Sequence, residues 1–507
     1  MVKKILGLVY KITTYQGDIP LLPLKQYIDH LQPGIISVAG NENMPIVGAT
    51  NDSRRVKPGW LFVAVSGAVD DGHRYLEQVL AAGAAAVVSE RELKLPAGVA
   101  GIQVADAYAA VAGAAEVMYG FPARQLELIG ITGTNGKTTT AFLLRDIFKQ
   151  NGEKVGMVGT VGYDCGGSWE TAARTTPDPF ILQSLFARMV KNGCRRAILE
   201  VSSHALIQNR LGESHFCGAI FTNLSGDHLD YHKNMENYYL AKRILFKQLL
   251  LPDALAVING DDLYGQRLIR ELAGCRVVTW GKRYRDVNYQ LRIIKEDLAG
   301  QTVQLTGNDG TCRWQAPLVG RYNADNMAAA FLLALGLGVA RDKIVAALLA
   351  TAGVPGRLQA VSFPNNSLAL VDYAHTDDAL LKVLQTLKEL PHKRLIVVFG
   401  CGGDRDRQKR PRMGKIAADY ADFIIITNDN PRNEEPEVIA ADILVGVPAA
   451  AAHEIILDRR QAIAAAVKML QADDILLLAG KGHEDYQEIA GKREYFDDRV
   501  ELLRLRG

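Results

Sequence analysis

The segment that spans residues 126–140 and reads LELIGITGTNGKTTT limits the possible folds of this chain more than any other feature. Its apolar start predicts a buried strand, and the apolar pattern of residues 141–148 predicts a helix directly after it. Lys137 adds a cation and Thr138 a hydroxyl group suited to Mg²⁺. Three glycines permit a tight turn whose N–H groups point at an anion, namely Gly130, Gly133 and Gly136. The segment therefore predicts a strand, a phosphate-binding loop and a helix in succession.

The spacing differs from the longer phosphate loop G-x-x-x-x-G-K-T, because Ile131 stands where that pattern has its first glycine. The shorter G-T-N-G-K-T form therefore restricts the phosphate-loop families to which the chain could belong. The strand, turn, lysine and helix still follow one another in the order that a phosphate loop requires. A Gly-rich surface turn with a solvated lysine is the ordinary alternative, and it explains fewer of these features.

Length and composition indicate a globular protein of several domains. The 507 residues exceed what one compact core accommodates, and 48% hydrophobic with 22% charged residues is ordinary. A net charge of +2 without an extended basic run gives no support to nucleic-acid binding. No apolar stretch approaches the ~20 residues of a membrane span. We expect the protein to be a monomer that binds neither nucleic acid nor membrane.

Cysteine usage and the start of the chain favour the cytoplasm. The six cysteines are scattered without a C-x-x-C pair, which is typical of buried thiols in a reducing compartment. The apolar part of residues 1–10 stops at Lys11, too short for a secretory signal, and the first ~25 residues match no pattern.

Two Gly/Pro breaks, at residues 119–122 and 352–356, divide the chain. They predict an N-terminal domain (1–118), a central domain (119–352) and a C-terminal domain (353–507). The alternation of apolar runs with helical stretches predicts an α/β fold in all three. We expect a smaller N-terminal α/β domain, a central phosphate-loop domain with a mostly parallel sheet, and a C-terminal Rossmann-like doubly wound sheet.

Polar loops follow four short apolar runs of the C-terminal domain, which are residues 368–371, 395–399, 423–426 and 475–478. Ligands bind at the carboxyl ends of strands in open parallel sheets. The loops carry two arginines, a glutamate and several glycines, so they predict a site for a polar, charged substrate. Ordinary solvated strand ends are the alternative.

Two further loops of the central domain carry candidate metal ligands. Glu200 ends one apolar strand, and His228 lies in the loop after another, residues 219–221. Either residue alone is most simply explained as a surface carboxylate or a loop histidine. Because both follow strands of the sheet that carries Thr138, a Mg²⁺ ligand set for phosphoryl transfer is chemically reasonable.

An ordered series of motifs resembles one known family. It comprises ITGTNGKTTT, ARTTPDP, LEVSSHAL, FTNLSGDHLDYH, YYLAKRILF, GRYNADN, VDYAHTDDAL, GCGGDRDRQKRP, DNPR and AGKGHEDYQ. Their order resembles that of Mur ligases, and the resemblance runs from about Asn51 to the C-terminus. The resemblance implies a cytoplasmic, ATP- and Mg²⁺-dependent amide ligase of peptidoglycan synthesis. Its substrates would be ATP, UDP-N-acetylmuramoyl-L-alanyl-D-glutamate and meso-diaminopimelate, joined through an acyl phosphate.

The resemblance also implies roles for individual residues. The ATP-binding set is Gly133, Thr134, Asn135, Gly136, Lys137, Thr138, Thr139, Asn323, Asn326 and Arg357, with Tyr322 a candidate stacking partner. The Mg²⁺ ligands are Thr138, Glu200, His228 and Lys242, the last as a carbamate. With Lys137, the last three form the catalytic set. The nucleotide-sugar set is Ser53, Ala68, Val69, Asp70, Thr175, Thr176, Ser202, Gln208 and Arg210. The diaminopimelate set is Arg405, Asp429, Asn430, Pro431, Arg432, Gly480 and Glu484.

Three positions depart from the family pattern, and some choices stay open. Arg174, Gly226 and Asp377 differ from the residues usual there, without touching the phosphate or metal groups. His375 and Asp372 are both candidates for the base that deprotonates the attacking amine. The alternatives for function are a lysine-adding ligase of the same family, a ligase like folylpolyglutamate synthetase, and a nucleotide-dependent switch without catalysis.

Overall fold

The structure, a computed structural model, describes residues 21–67, 70–272 and 276–506. It divides into two compact units, of which the first comprises Met1–Asn288 with Ala329–Ile344 and the second Tyr289–Ala328 with Val345–Gly507. The expectations for the chain start and for Ala68 and Val69 lie outside the described residues. Within the described ranges, no helix is long and apolar enough to cross a bilayer.

The N-terminal part of the first unit is a small α/β layer. Its strands are β1 (Leu22–Pro23), β2 (Ile35–Ala39), β3 (Pro45–Ile46), β4 (Gly48–Thr50), β5 (Trp60–Val63), β6 (Ala86–Ser89) and β7 (Ala100–Val104), and its helices are α1 (Leu24–Leu31), α2 (Leu76–Ala81) and α3 (Ala107–Met118). A sheet of order β2-β7-β6-β5-β4 is parallel except for β2, while β1 pairs with β3. Helices α1 and α3 contribute Tyr27 and Val111 to its core.

The central part of the first unit is built on a larger sheet. Its strands are β8 (Glu127–Thr132), β9 (Val155–Val158), β10 (Gly162–Asp164), β11 (Trp169–Thr171), β12 (Arg196–Glu200), β13 (Phe216–Phe221), β14 (Leu250–Asn259) and β15 (Arg276–Gly281). Its helices are α4 (Lys137–Gln150), α5 (Pro179–Lys191), α6 (Ser203–Ile207), α7 (Leu229–His232), α8 (Met235–Lys247) and α9 (Leu263–Glu271).

Strand order explains where the chemistry of the first unit gathers. Within the first unit the order is β11-β10-β9-β12-β8-β13-β14-β15. The neighbours β9, β12, β8, β13, β14 and β15 run parallel, whereas β10 is antiparallel to both β9 and β11. Strand β8 lies between β12 and β13, so the loops after these three strands leave the sheet side by side. Those loops carry the phosphate-loop segment, the Glu200 region and the Asn223–His228 region.

The second unit contains three antiparallel strands, a doubly wound sheet and a two-stranded antiparallel sheet. Its strands are β16 (Tyr289–Asp297), β17 (Gly300–Gly307), β18 (Gly310–Ala316), β19 (Gln359–Ser362), β20 (Leu368–Asp372), β21 (Leu395–Phe399), β22 (Phe423–Ile426), β23 (His453–Ile455), β24 (Ile475–Ala479), β25 (Tyr486–Ile489) and β26 (Lys492–Tyr495). The helices from residue 322 onward are α10 (Tyr322–Gly336), α11 (Arg341–Ala350), α12 (Asp377–Lys388), α13 (Lys409–Tyr420), α14 (Pro436–Leu444), α15 (Arg459–Met469) and α16 (Asp498–Leu505). Helices α10 and α11 carry the chain from one unit to the other.

The doubly wound sheet has the order β19-β20-β24-β21-β22-β23 and is parallel except for β19. Successive residues of β21 enter two different cores, Leu395 and Val397 on one face and Ile396 and Val398 on the other. A strand buried on both faces must be continuously apolar, and for this reason these strands can be predicted from the sequence.

The predicted α/β class, with a central phosphate-loop sheet and a C-terminal doubly wound sheet, is confirmed. The division at residues 118 and 352 stays a prediction.

Candidate active site

The phosphate loop, residues 130–139, comprises the end of β8, a four-residue turn and the start of α4, and it is held by the loop after β13. Thr134 N donates to Asn223 O (2.8 Å), and Asn135 N donates to Asn223 Oδ1 (3.0 Å). Gly133 has φ of +145°, and a Cβ there would lie 1.9 Å from Thr222 Oγ1, so only glycine fits. Gly136, with φ of +88°, leads directly into α4. The loop therefore presents the N-terminus of a 14-residue helix to an anion.

Lys137 lies over the main chain of its own loop. Its Nζ donates to Gly133 O (2.9 Å) and Thr134 O (2.8 Å). The ammonium group is therefore held against main-chain carbonyls of the phosphate loop itself, where a phosphate cation is expected.

Glu200 is fully buried at the end of β12, and its carboxylate is shared between two elements. Thr138 Oγ1 donates to Oε2 (2.8 Å), while Thr160 donates from its N to Oε1 (2.8 Å) and from its Oγ1 to Oε2 (3.1 Å). The structure thus brings Thr138 and Glu200 together as an oxygen-rich pair, the donor type that Mg²⁺ prefers.

Lys242 is 1% exposed, although it lies in a helix whose sequence is typical of a solvated surface. Its Nζ donates to Gly133 O (2.8 Å) and lies 4.5 Å from the centre of the Tyr238 ring. Burial, and then the charge of Lys137, lower the pKa of Lys242 well below its ordinary value. The site therefore favours the neutral amine, which is the form that reacts with CO₂.

His228 has a half-exposed side chain and a backbone φ of +54°. Its Nε2 lies 3.6 Å from Asp227 Oδ2, and its ring lies 5.1 Å from that of His204 and 6.2 Å from that of Tyr238. Among the described residues, the Tyr238 ring lies near both His228 and Lys242. Thr138 and Glu200, by contrast, share a hydrogen bond.

Five residues of the predicted nucleotide-sugar set form one hydrogen-bonded cluster beside Glu200, and they are Thr175, Thr176, Ser202, Gln208 and Arg210. Thr176 Oγ1 donates to Glu200 O (2.7 Å) and accepts from Ser202 N (3.1 Å). Arg210 donates to Thr176 O (2.7 Å) and to Gln208 Oε1 (2.6 Å). Ser53 begins a short 3₁₀ helix elsewhere in the unit, and Asp70 accepts a bond from Tyr75.

Arg210 carries its charge in a half-buried place. Burial, and then the nearby charge of Arg174, lower the pKa of Arg210. Arg174, one of the departures from the family pattern, therefore adds positive potential beside Thr175 and Thr176. An anionic group is the natural ligand for such a surface.

The remaining predicted ATP residues belong to the second unit. Asn323 is buried and donates to Val319 O (2.8 Å), and its Oδ1 accepts from Asn326 Nδ2 (3.0 Å). Arg357 lies 5.6 Å from the centre of the Tyr373 ring, and Tyr322 is 45% exposed at the start of α10. The Tyr322 ring lies close to Gly320, and its role as a stacking partner stays a prediction.

The two candidates for the base differ in their surroundings. Asp372 is buried, with Oδ2 accepting from Leu358 N (2.8 Å) and Oδ1 from Ala374 N (2.9 Å). Burial raises its pKa to about 6 despite the opposing charge of Arg357. His375 is exposed, and its Nδ1 lies 2.8 Å from Tyr373 O. Both oxygens of Asp372 are thus engaged by the backbone, whereas the His375 ring reaches solvent.

The two predicted arginines of the amino-acid site approach each other at Gly402. A Cβ built on Gly402 would lie 2.9 Å from Arg432 Nη1 and 3.8 Å from Arg405 Cγ. Arg432 Nη1 donates to Gly403 O (2.7 Å), and the Arg432 backbone bonds to Glu488 and Ala490. The DNPR loop (residues 429–432) therefore presents one anchored arginine, with a second, exposed arginine close by.

Acidic and amide groups form the other part of this site. Asn430 Nδ2 donates to Glu484 Oε2 (2.8 Å), which links the DNPR loop to the GKGHE loop (residues 480–484). Lys481 is fully buried, with Nζ 3.3 Å from Asn430 Oδ1 and 3.9 Å from Asp429 Oδ1. Burial, and then Asp429, raise the pKa of Glu484. Because Gly480 lacks a side chain, Asp429 Oδ2 can approach to 2.8 Å from where a Cβ would be.

His483 makes the stability of the second unit depend on pH. Burial, and then the charge of Arg357, lower its pKa from 6.5 to about 4. As pH falls from 6.5 towards 4, the unfolded chain binds a proton that the folded chain refuses, so the free energy of unfolding falls, by at most about 3 kcal/mol. We expect His483→Phe, which keeps a ring beside Tyr373, to flatten this loss when urea unfolding is measured at pH 7.5 and 5. An unchanged difference between the two pH values would contradict the assignment.

Sequence reasoning missed three residues that shape these sites, namely Thr160, Tyr238 and Lys481. Thr160 lies just past the end of β9, and Tyr238 stands one helical turn before Lys242 on α8. These positions were legible signals, since strand ends and (i, i+4) helix neighbours meet in predictable ways. Burial of Lys481 had no such signal, because a lysine between two glycines is typical of a solvated loop.

A short phosphate loop beside a buried carboxylate, on an α/β fold with a second charged site, defines a nucleotide-dependent enzyme. The chain belongs to the Mur ligase family. It matches the Mur ligase family catalytic domain over residues 45–127, the Mur ligase middle domain over 131–334 and the Mur ligase glutamate ligase domain over 356–482.

Several similar proteins carry the name UDP-N-acetylmuramoyl-L-alanyl-D-glutamate–2,6-diaminopimelate ligase. The protein of that name from Listeria monocytogenes is 41% identical over 466 residues, covering 91% of this chain and 94% of its own length. The one from Chlorobium phaeobacteroides is 43% identical over 482 residues, covering 92% and 94%. A solved structure of such a ligase superposes with a TM-score of 0.70 at 35% identity, covering 96% of this chain and 99% of that chain.

Proposed function

We propose that this protein is an ATP-dependent amide ligase that adds meso-diaminopimelate to UDP-N-acetylmuramoyl-L-alanyl-D-glutamate in peptidoglycan synthesis. The observation that carries the proposal is the presence, in one chain, of a phosphate loop and a bipolar amino-acid site. That site offers Arg432 and Arg405 for a carboxylate, and Glu484 with the backbone at Gly480 for an ammonium group. The names and high coverage of the similar proteins support the same activity.

ATP would bind at the phosphate loop, with its phosphates on the N-terminus of α4 and beside Lys137. We assign the adenine side to Asn323, Asn326 and Arg357. Phosphate oxygens need positive charge while the terminal phosphoryl group is transferred, and Lys137 supplies it from the loop.

The donor set of the first unit fits Mg²⁺. The Thr138 hydroxyl and the buried Glu200 carboxylate are hard oxygen donors, and Lys242 lies in a site that favours the neutral amine a carbamate requires. We assign the metal to Thr138, Glu200, His228 and the carbamate of Lys242. When bound, Mg²⁺ neutralises charge on the phosphates.

The reaction proceeds in two steps. A side-chain carboxylate oxygen of the D-glutamyl residue attacks the terminal phosphorus of ATP, ADP leaves, and an acyl phosphate forms. The neutral amine of diaminopimelate then attacks the acyl carbon, and inorganic phosphate departs with the C–O bonding electrons. The amine loses its proton to a base, for which exposed His375 is better placed to pass it to solvent than Asp372. The cluster of Thr175, Thr176 and Arg210 would hold the nucleotide-sugar peptide beside Glu200.

We expect the protein to prefer meso-diaminopimelate to L-lysine by roughly 10⁴-fold in kcat/KM. Lysine lacks the distal carboxylate, so it would leave the arginines of the site unmatched. The measurement is a competition assay with both amino acids present at equal concentration and the two products separated by mass. Comparable rates for lysine would overturn the choice of amino acid and leave the ligase assignment standing.

Arg432→Ala is the matching variant for that assay. It should raise the KM for diaminopimelate far more than the KM for ATP, because Arg432 contacts the loop at Gly403 and lies outside the phosphate loop.

Phosphate release separates a ligase from a nucleotide-dependent switch. In a ligase it requires both the nucleotide-sugar dipeptide and the amino acid, whereas a switch would hydrolyse ATP without that dual requirement.

We place this activity in the cytoplasm, where ATP is available. Five cysteines of the described ranges are free thiols, which suits a reducing compartment. The monomeric state stays a prediction.

A further inference from the structure

An ion pair between Arg459 and Asp498 lies fully buried in the second unit, with both side chains 0% exposed. The pair is bidentate, because Arg459 Nε donates to Asp498 Oδ1 and Nη2 donates to Oδ2, both at 2.7 Å. Arg459 is the first residue of α15, and Asp498 is the first residue of α16. The start of the C-terminal helix therefore fixes the orientation of a guanidinium group inside the domain.

The same guanidinium group also binds two main-chain carbonyls. Arg459 Nη1 donates to Asn428 O (3.2 Å), and Nη2 donates to Ala479 O (3.2 Å). Asn428 directly precedes the DNPR loop, and Ala479 is the last residue of β24, directly before the GKGHE loop. One side chain thus holds the chain at the entrance to both loops.

The sheet itself does not join these two loops. In the strand order β20-β24-β21-β22, strand β21 lies between β24 and β22, so no ladder hydrogen bond connects the strands that carry the loops. Two strand spacings, about 10 Å, separate them. The Asn430–Glu484 hydrogen bond joins the loops through their side chains. The Arg459 guanidinium group, with donors in a rigid plane, adds a cross-link between the main-chain segments that enter them.

The charge of Arg459 also reaches the site. Burial opposes that charge, but Asp498 and, less strongly, Asp429 and Glu484 outweigh it and raise the pKa of Arg459. The two acidic side chains of the amino-acid site therefore lie within the field of this cation as well as that of Lys481.

We propose that Arg459, oriented by Asp498, is a positioning residue of the amino-acid site that sets the spacing between the DNPR and GKGHE loops. The inference rests on the proposed function, because it assumes that these loops bind the incoming amino acid. A buried ion pair is weak evidence for net stability, since well-packed apolar residues often replace it without loss. Its contribution here is geometric.

Arg394 and Asp474 form a control pair in the same sheet, at the opposite ends of the strands. Arg394 Nη2 lies 2.5 Å from Asp474 Oδ2 and donates to Met469 O (2.8 Å). These residues directly precede β21 and β24, so they lie at the amino ends of the strands, away from both loops. This pair therefore shares the arginine–aspartate chemistry of Arg459 and Asp498 without their location, and its arginine is 35% exposed.

The test compares the full-length variants Arg459→Lys, Asp498→Asn and Arg394→Lys with the unmodified protein. For each, the KM is measured separately for meso-diaminopimelate, ATP and the nucleotide-sugar dipeptide, and the melting temperature is recorded. Lysine keeps the charge but cannot bind two carbonyls and two carboxylate oxygens. We expect Arg459→Lys and Asp498→Asn to raise the diaminopimelate KM about 10- to 100-fold, with the ATP KM within about twofold of normal. Arg394→Lys should leave the KM for diaminopimelate and the KM for ATP unchanged.

Each other outcome counts against the proposal. If Arg459→Lys and Asp498→Asn stay folded with a normal diaminopimelate KM, or raise all three KM values equally, the pair does not position this site. If both fail to fold while Arg394→Lys folds, the pair is a general stability element. If the unmodified protein does not ligate diaminopimelate at all, the proposed function fails first, and that result appears before any variant is measured.

Discussion

Lys137→Ala protein is expected to be folded and to have lost ligation, with the turnover rate reduced by roughly 10³-fold or more. The side chain lies on the phosphate loop and bonds to main-chain oxygens of Gly133 and Thr134, so its removal leaves no core cavity. What is lost is the cation that balances charge on the transferred phosphoryl group. Turnover is measured as product formed per enzyme at saturating substrates, and folding by circular dichroism and thermal melting.

Lys154→Ala is a suitable control for that experiment. Lys154 is an exposed lysine of the same unit that lies outside the phosphate loop. It should keep normal turnover, which excludes a general effect of lost positive charge. Near-normal turnover of Lys137→Ala would remove the phosphate-loop assignment and, with it, the proposed function.

Lys242→Ala is expected to reduce turnover by roughly 10²- to 10³-fold, and short carboxylic acids should restore part of it. The restored activity would come from a small carboxylate that replaces the carbamate anion beside the metal. The expectation of a carbamate rests on the surroundings of Lys242. Its amine is buried beside Gly133 O, and burial lowers its pKa, which favours the neutral form. Turnover is measured across a series of acetate and formate concentrations, with chloride at equal ionic strength for comparison.

Lys247 provides the matched control on the same helix. It is the last residue of α8, is exposed, and donates to Glu271 O (3.0 Å). Lys247→Ala should be fully active and insensitive to acetate. A fully active Lys242→Ala enzyme would show that burial of this lysine is only structural. Loss of activity without any rescue would point to a role other than a bridging anion.

The strands and the phosphate loop were legible in the sequence because their signals are local. The runs at residues 395–399 and 423–426 coincide with β21 and β22, since a strand buried on both faces must be apolar at every position. The Gly-Lys-Thr turn predicted the start of α4, because the loop, the positive φ of Gly136 and the helix N-terminus lie within a few residues of one another.

The proximity of Thr138 to Glu200 could be expected from the sequence only together with an assumption about strand order. It required only that two neighbouring parallel strands, β8 and β12, end at the same edge of the sheet. By contrast, His228 lies beside His204 and Tyr238, and nothing in the sequence of its loop gives the path of the chain there.

Other features were decided by the tertiary structure alone. Lys242 and Gly133 are 109 residues apart, and helix α8 has to pack behind the phosphate loop before the lysine loses its water. The sequence around Lys242 is typical of a solvated helix, so burial and the lowered pKa have no local signature. The same holds for Arg459, whose partners Asn428, Ala479 and Asp498 come from three separate segments. Periodicity and turn chemistry report what each segment does with its own neighbours, whereas desolvation and long-range ion pairs depend on which distant segments the fold brings together.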